Sequence, residues 1–161
     1  MKNKFFTLFF IFWSFNTYSL EIFCNFEEVY VDGSSQQGFF LIKNNALRYE
    51  YNNLALYTIF KNDGDFYIVE NKDLSKFRKI TDNTLILEEL INLSQIYPNI
   101  SDNYIIDDKE ISLFKSEEID FLKRISIKSD SLNMSIYFNN CEFKKIDGSL
   151  LRHRPVRKYY R

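Results

Sequence analysis

Between residues 38 and 70 apolar and polar positions alternate through four short runs, and Asn, Asp and Gly separate one run from the next. Phe40 and Ile42, then Leu47, Tyr49 and Tyr51, then Ile59, then Phe66 and Ile68 recur with period two. Each run therefore presents a row of large apolar side chains to one face of a sheet, the pattern of a β-meander. A preceding run, Glu21 to Val31, reads as a first strand and stops at the turn formers Asp32-Gly33-Ser34-Ser35. Asn62-Asp63-Gly64 predicts a tight hairpin with positive φ at Gly64. Lys76 to Ile80 adds one more strand.

At Thr84 the period changes. Leu87, Leu90, Ile91 and Ser94, together with Ile86, Leu93 and Tyr97, fall at helical spacing with a wide apolar face. Asn83 or Thr84 is placed to cap the first turn, and Tyr97-Pro98-Asn99 ends the helix. Strand patterns resume at Tyr104–Ile106, Glu110–Phe114, Ile119–Ile127 and Asn133–Phe143. Strands, one helix and strands again predict a mainly β, α+β domain: a highly curved antiparallel sheet with a helix across its concave side. With 17 Phe and 11 Tyr, the walls of that concavity are aromatic, and they close as a tight core or leave a pocket for an apolar ligand.

The first nineteen residues change the picture by placing the chain outside the cytoplasm. Lys2 and Lys4, the apolar run Phe5 to Trp13 and the segment ending Thr17-Tyr18-Ser19 have the layout of a secretory signal with cleavage after Ser19. The apolar run is shorter than the roughly 20 residues that span a bilayer. Residues 20–161 then form a single domain, destined for the periplasm. Loss of Lys2 and Lys4 makes it more acidic than the formal −1 of the whole chain, so no affinity for nucleic acid is expected. Arg152, Arg154, Arg157, Lys158 and Arg161 nevertheless crowd a basic tail over residues 150–161. That tail either docks on anionic headgroups or an acidic partner, or is a solvated end.

Cys24 and Cys141 are the two cysteines. In an oxidising compartment the leading reading is a disulfide closing a loop of over a hundred residues, worth about 4 to 5 kcal/mol by chain entropy; the alternative is two buried thiols. His153 is the single histidine, in a chain without a CxxC spacing, so neither a metal site nor a cofactor is expected. Catalysis is not expected either. No base and orienting acid assemble around His153, the four glycines form no phosphate loop, and the acid pairs Glu27-Glu28, Asp107-Asp108 and Glu117-Glu118 read as solvated strand ends or turns.

The order of these motifs resembles the periplasmic outer-membrane lipoprotein carrier family, the LolA type. The resemblance is carried by Gly38, Phe40 and Ile42, then Lys43, then Leu47, Arg48 and Tyr51, then Leu56 to Phe60, then Asp63-Gly64, Phe66 to Val69 and the helix from Thr84. The late strand Ser135–Phe143 followed by Asp147 to Pro155 is similar to that family's ending. The resemblance implies an unclosed β-barrel with a helical lid, whose cavity shields the acyl chains of a lipoprotein between an inner-membrane release complex and an outer-membrane acceptor. Phe40, Ile42, Leu47, Tyr49, Tyr51, Ile59, Phe66 and Ile68 would line the cavity, and Leu87, Leu90 and Ile91 would form the lid. The chain departs from the family in two places. Strand-like Glu21 follows Leu20 without an amphipathic helix, and Asn44-Asn45 stands where the family has Arg-Pro, so no gating arginine carries over. The alternative function is a non-catalytic envelope scaffold or binding module with a packed core, free-standing or part of a lipid-transport bridge.

Overall fold

The computed structural model describes residues 21–81 and 84–153, so the signal segment, Asn83 and the tail beyond His153 lie outside the described residues. Ten strands form one antiparallel sheet: β1 (Glu21–Tyr30), β2 (Ser35–Lys43), β3 (Ala46–Tyr51), β4 (Tyr57–Asn62), β5 (Asp65–Glu70), β6 (Asp73–Ile80), β7 (Asn103–Ile106), β8 (Lys109–Lys115), β9 (Leu122–Lys128) and β10 (Asn133–Phe143). The helix α1 (Leu85–Ile96) lies between β6 and β7 in sequence, and a short 3-10 helix (Gly148–Leu151) follows β10. In space the strands run β6-β5-β4-β3-β2-β1-β10-β9-β8-β7, so the sheet is unclosed and its two edges are the strands that α1 connects.

Every pairing but one joins strands that are neighbours in sequence. The exception is β1 with β10, which joins the two halves of the sheet at its centre. There the register shifts between Phe23 and Asn25, opposite an extra residue of β10 where Asn140 takes φ 48°. The Cys24–Cys141 disulfide bridges this point, closing 117 residues of chain, with Cys24 fully buried.

Turn chemistry follows the sequence closely. Asp63 and Gly64 both have positive φ, 51° and 89°, as a two-residue hairpin matched to strand twist requires, and Asn44 and Asp107 take the same left-handed conformation. The turns at 31–34, 52–56, 71–72, 107–108 and 129–132 lie at one end of the sheet, called here the upper end. Those at 44–45 and 63–64, the end of β6 that leads into α1 and the start of β7 that follows it lie at the lower end.

Alternation in β1 through β5 sends Ile22, Cys24 and Phe26, Phe40 and Ile42, Leu47 and Tyr49, Ile59, and Phe66 to one face, where they join Ile111, Ile125, Ile127, Ile136 and Phe138 from the other half. The face of α1 that carries Leu87, Leu90, Ile91, Leu93 and Ser94 is buried, and its apolar members belong to this same core. Ser94 is accommodated because its hydroxyl donates to the Ile91 carbonyl at 2.7 Å. Thr84 occupies the N-cap position, but its backbone is already near helical and its side chain makes no capping bond, so the expected cap is absent at that residue. The helix stops at Tyr97-Pro98 as expected.

Two strand starts differ from expectation by three residues: β6 begins at Asp73 and not Lys76, and β9 begins late. Ile119–Phe121 is a bend, and β9 begins at Leu122. Ser116 Oγ accepts from the backbone N–H groups of Glu118 and Ile119, turning the chain so that Phe121 points inward against Phe40, Phe138 and Tyr97.

The other face of β2–β6 is crossed by the segment after β10. Ile146 and Leu151 pack on Leu41, and Glu21 accepts from the Ile146 N–H while pairing with Lys43 at 3.0 Å. Those two contacts, the Ile146 hydrogen bond first, hold the Glu21 carboxyl below its ordinary range.

Candidate functional site

The concave face is the candidate site. Phe40, Ile42, Leu47, Tyr49, Tyr51, Ile59 and Phe66 lie on it in β2 to β5, all buried, with Ile68 half-buried beside them, and Leu87, Leu90 and Ile91 of α1 close over it. The structure thus brings the eleven residues into one cluster in which they pack against one another. Gly38 shapes its middle. A Cβ there would stand 2.5 Å from the Phe26 ring and 2.0 Å from the Glu50 carbonyl oxygen, so only glycine lets Phe26 lie across β2 toward β3. Phe26 consequently stacks on Tyr49 at 4.1 Å and meets the edge of Tyr51 at 5.6 Å.

Polar attachments between α1 and the rest are few. The Tyr104 hydroxyl donates to Glu89 at 2.6 Å from the β7 edge, and Gln95 reaches the Asn44 carbonyl at 3.2 Å in the β2–β3 turn. The Tyr97 hydroxyl, just past the helix, donates to the Phe121 carbonyl at 3.4 Å.

One feature of this face contradicts the sequence expectation. Glu27-Glu28 reads as a solvated pair, and Glu27 does turn to the outer face, but Glu28 follows Phe26 on the inner row and is buried. Its carboxylate accepts from three phenols: Tyr30 at 2.6 Å, Tyr49 at 2.7 Å, and Tyr51 at 3.0 Å to both oxygens. These donors offset the desolvation of the carboxylate. The available signal was parity, since Ile22, Cys24, Phe26 and Glu28 alternate in step. The other two acid pairs lie in the β7–β8 turn and the β8–β9 connection, exposed as expected.

Burial first, and the Glu28 charge second, push the Tyr49 and Tyr51 phenols far above their ordinary range near 10; burial and the Glu28 hydrogen bond raise Tyr30 as well. A raised phenol stabilises the fold fully below pH about 10, and that contribution is lost as pH climbs above it, because the unfolded chain releases protons that the native state retains. Tyr49 and Tyr51 alone should lower the unfolding free energy by about 2.7 kcal/mol per pH unit above pH about 11, and Tyr30 makes the fall steeper. Denaturant titrations across that range check the slope; ionisation of these phenols in the still-folded protein, seen by ultraviolet absorbance, would contradict it.

The outer face carries two clefts that the sequence pattern did not reveal. One, of about 500 Å³, lies among Arg48, Thr58, Phe60, Asn71 and Leu150; the other, of about 620 Å³, lies among Phe60, Tyr67, Phe77 and Leu151. Arg48 points to this side, as the alternation predicts: it pairs with Glu50, lies 5.5 Å over both Phe39 and Phe60, and donates to the Leu150 carbonyl. His153 sits half-buried between Phe60 and Phe77, their rings 6.1 and 5.3 Å from its own.

No protein-family profile matches the chain, and neither does any curated protein. Among solved structures, a LolA superfamily protein from Nitrosomonas europaea superimposes with a TM-score of 0.42 at 8% identity, covering 83% of this chain and 90% of that one.

Proposed function

We propose that the protein is a non-catalytic carrier of the cell envelope that shelters the acyl chains of a lipid or lipoprotein on its concave face during transfer toward the outer membrane. The observation that carries this reading is the cover of that face. A continuous aromatic and aliphatic wall, spanning both halves of an unclosed sheet, is closed by a single twelve-residue helix strung between the two free edges. Displacing α1 would break no strand pairing and would expose a wall matched to acyl chains. Transfer of such chains from water gains about 0.8 kcal/mol per CH₂, enough to drive exchange of helix for ligand. The same closed packing suits an envelope scaffold whose interior is simply filled, and the two readings differ in whether α1 opens.

Export after Ser19 to the periplasm belongs to this proposal and agrees with the disulfide, a bond of oxidising compartments. An inner-membrane release complex and an outer-membrane acceptor would stand at the two ends of the transfer. Native mass spectrometry of mature protein purified from an envelope fraction tests the reading, with organic extraction of the bound material. Acylated species are expected to co-purify and to be exchanged by added lipopeptide. A mass that no lipid or lipopeptide shifts would leave the filled scaffold as the better account.

A further inference from the structure

We propose that Glu28 and the tyrosines around it form a recognition site for a cationic amine carried next to the acyl chains of the ligand. This deepens the carrier reading and rests on it. Glu28 is 5% exposed on an otherwise apolar face, and among the described residues no lysine, arginine or histidine pairs with it. Its partners are three neutral phenol donors, which satisfy most of a carboxylate's roughly four acceptor positions and leave its charge without a counter-ion. A carboxylate held in apolar surroundings is ordinarily matched by a cation. Among the described residues no matching cation is present, and the ligand supplies it.

The rings supply the second half of the site. Tyr51 meets Phe26, Tyr49 and Tyr57 edge-on, at 5.6, 5.7 and 5.3 Å with interplanar angles of 85°, 78° and 82°. One ring set perpendicular to its aromatic neighbours beside a carboxylate offers an ammonium group ring faces and a charge-assisted hydrogen bond together. Access comes from the upper end. Tyr30 and Tyr57 are half-buried there, whereas β6 leads into α1 and β7 leaves it at the lower end. Upper-end turns and strand ends bring Asp32, Asp73, Asp107, Asp108 and Asp130 against Lys72, Lys109 and Lys128, a negative balance that favours an approaching cation. Val31, Leu54 and Ile105, 72%, 66% and 74% exposed, lie at the same end and offer apolar contact to an amphiphile.

The amine could belong to a lipid headgroup or to the free α-ammonium of a diacylated peptide, and matched probes distinguish these. Affinities would be measured by calorimetry below micelle formation for lysophosphatidylethanolamine against lysophosphatidylglycerol, and for a diacylated peptide with a free against an acetylated amino terminus. Wild-type protein should prefer the free amine in at least one pair by about tenfold or more. Glu28→Gln should abolish that preference while still binding the member without the free amine. Tyr137→Phe, on the exposed face of β10 away from Glu28, should keep the preference. Should Glu28→Gln fail to fold, the wild-type ratios alone decide. Equal affinity within both pairs, or a preference that survives Glu28→Gln, would overturn the amine site and leave the carrier standing. Failure of all four probes to bind would overturn both.

Discussion

Breaking the Cys24–Cys141 bond should lower the stability of the domain by about 4 to 5 kcal/mol. The magnitude comes from the unfolded chain, where the bond closes a loop of 117 residues and removes much of its freedom. The native state loses little besides, because β1 and β10 remain hydrogen-bonded neighbours from Ile22 to Tyr30. A loss of that size matters because ordinary domains are stable by only about 5 to 15 kcal/mol. A domain at the lower end of that range would, once reduced, stand close to its folding threshold. Guanidinium unfolding of the oxidised protein and of a Cys24→Ala, Cys141→Ala double variant measures the difference. A difference under about 1 kcal/mol would mean that residual structure in the unfolded chain, or strain in the native bond, cancels the entropic gain.

Leu90→Glu should release α1 and leave the sheet folded. Leu90 is 1% exposed at the centre of the helix's buried face, and an unpaired carboxylate there costs several kcal/mol unless it reaches water. The cheapest escape is local. The helix is attached through side chains and a few hydrogen bonds, whereas the ten strands are held by their own ladders. Hydrogen exchange read by mass spectrometry should show amides of residues 85–96 losing at least about tenfold in protection while those of β1, β2 and β10 keep theirs. Leu90→Ala, which creates a cavity without a charge, should cost about 2 to 5 kcal/mol and act in the same place more mildly. Loss of protection throughout the sheet would show instead that α1 is an integral part of one cooperative core, the behaviour of a filled scaffold.

What the sequence disclosed, and what it hid, follows from the range of the forces involved. The meander and α1 were legible because period and turn chemistry are local: Asp63-Gly64 needs only its own backbone preference, and Leu87, Leu90 and Ile91 need only helical spacing. The eight inner-face residues of β2 to β5 were legible for the same reason, since alternation assigns them one side. Glu28 was misjudged because an acid beside an acid looks solvated until strand parity is followed through Phe26. Its three phenol partners come from β1 and β3, with β2 between, so they meet only once register is fixed. The outer-face clefts were hidden for a related reason. Ile146, Leu151 and His153 show no periodicity, and only contacts with Leu41, Phe60 and Phe77 reveal that this segment crosses the sheet. Phe121 likewise escaped its expected strand because a single serine hydroxyl, Ser116, redirects the chain before it.

Acyl chains that occupy the concave face when α1 moves aside can be caught there by photo-crosslinking. A lipopeptide with a photoactivatable group midway along its acyl chain would be bound to the oxidised protein, irradiated, and the labelled peptides sequenced by mass spectrometry. The account predicts label on Phe40, Tyr49, Ile59 or Phe66 and on Leu87 or Leu90, from the two surfaces that now face each other. Label confined to Phe60, Phe77 and Leu151 would place the ligand in the outer-face clefts and contradict the account.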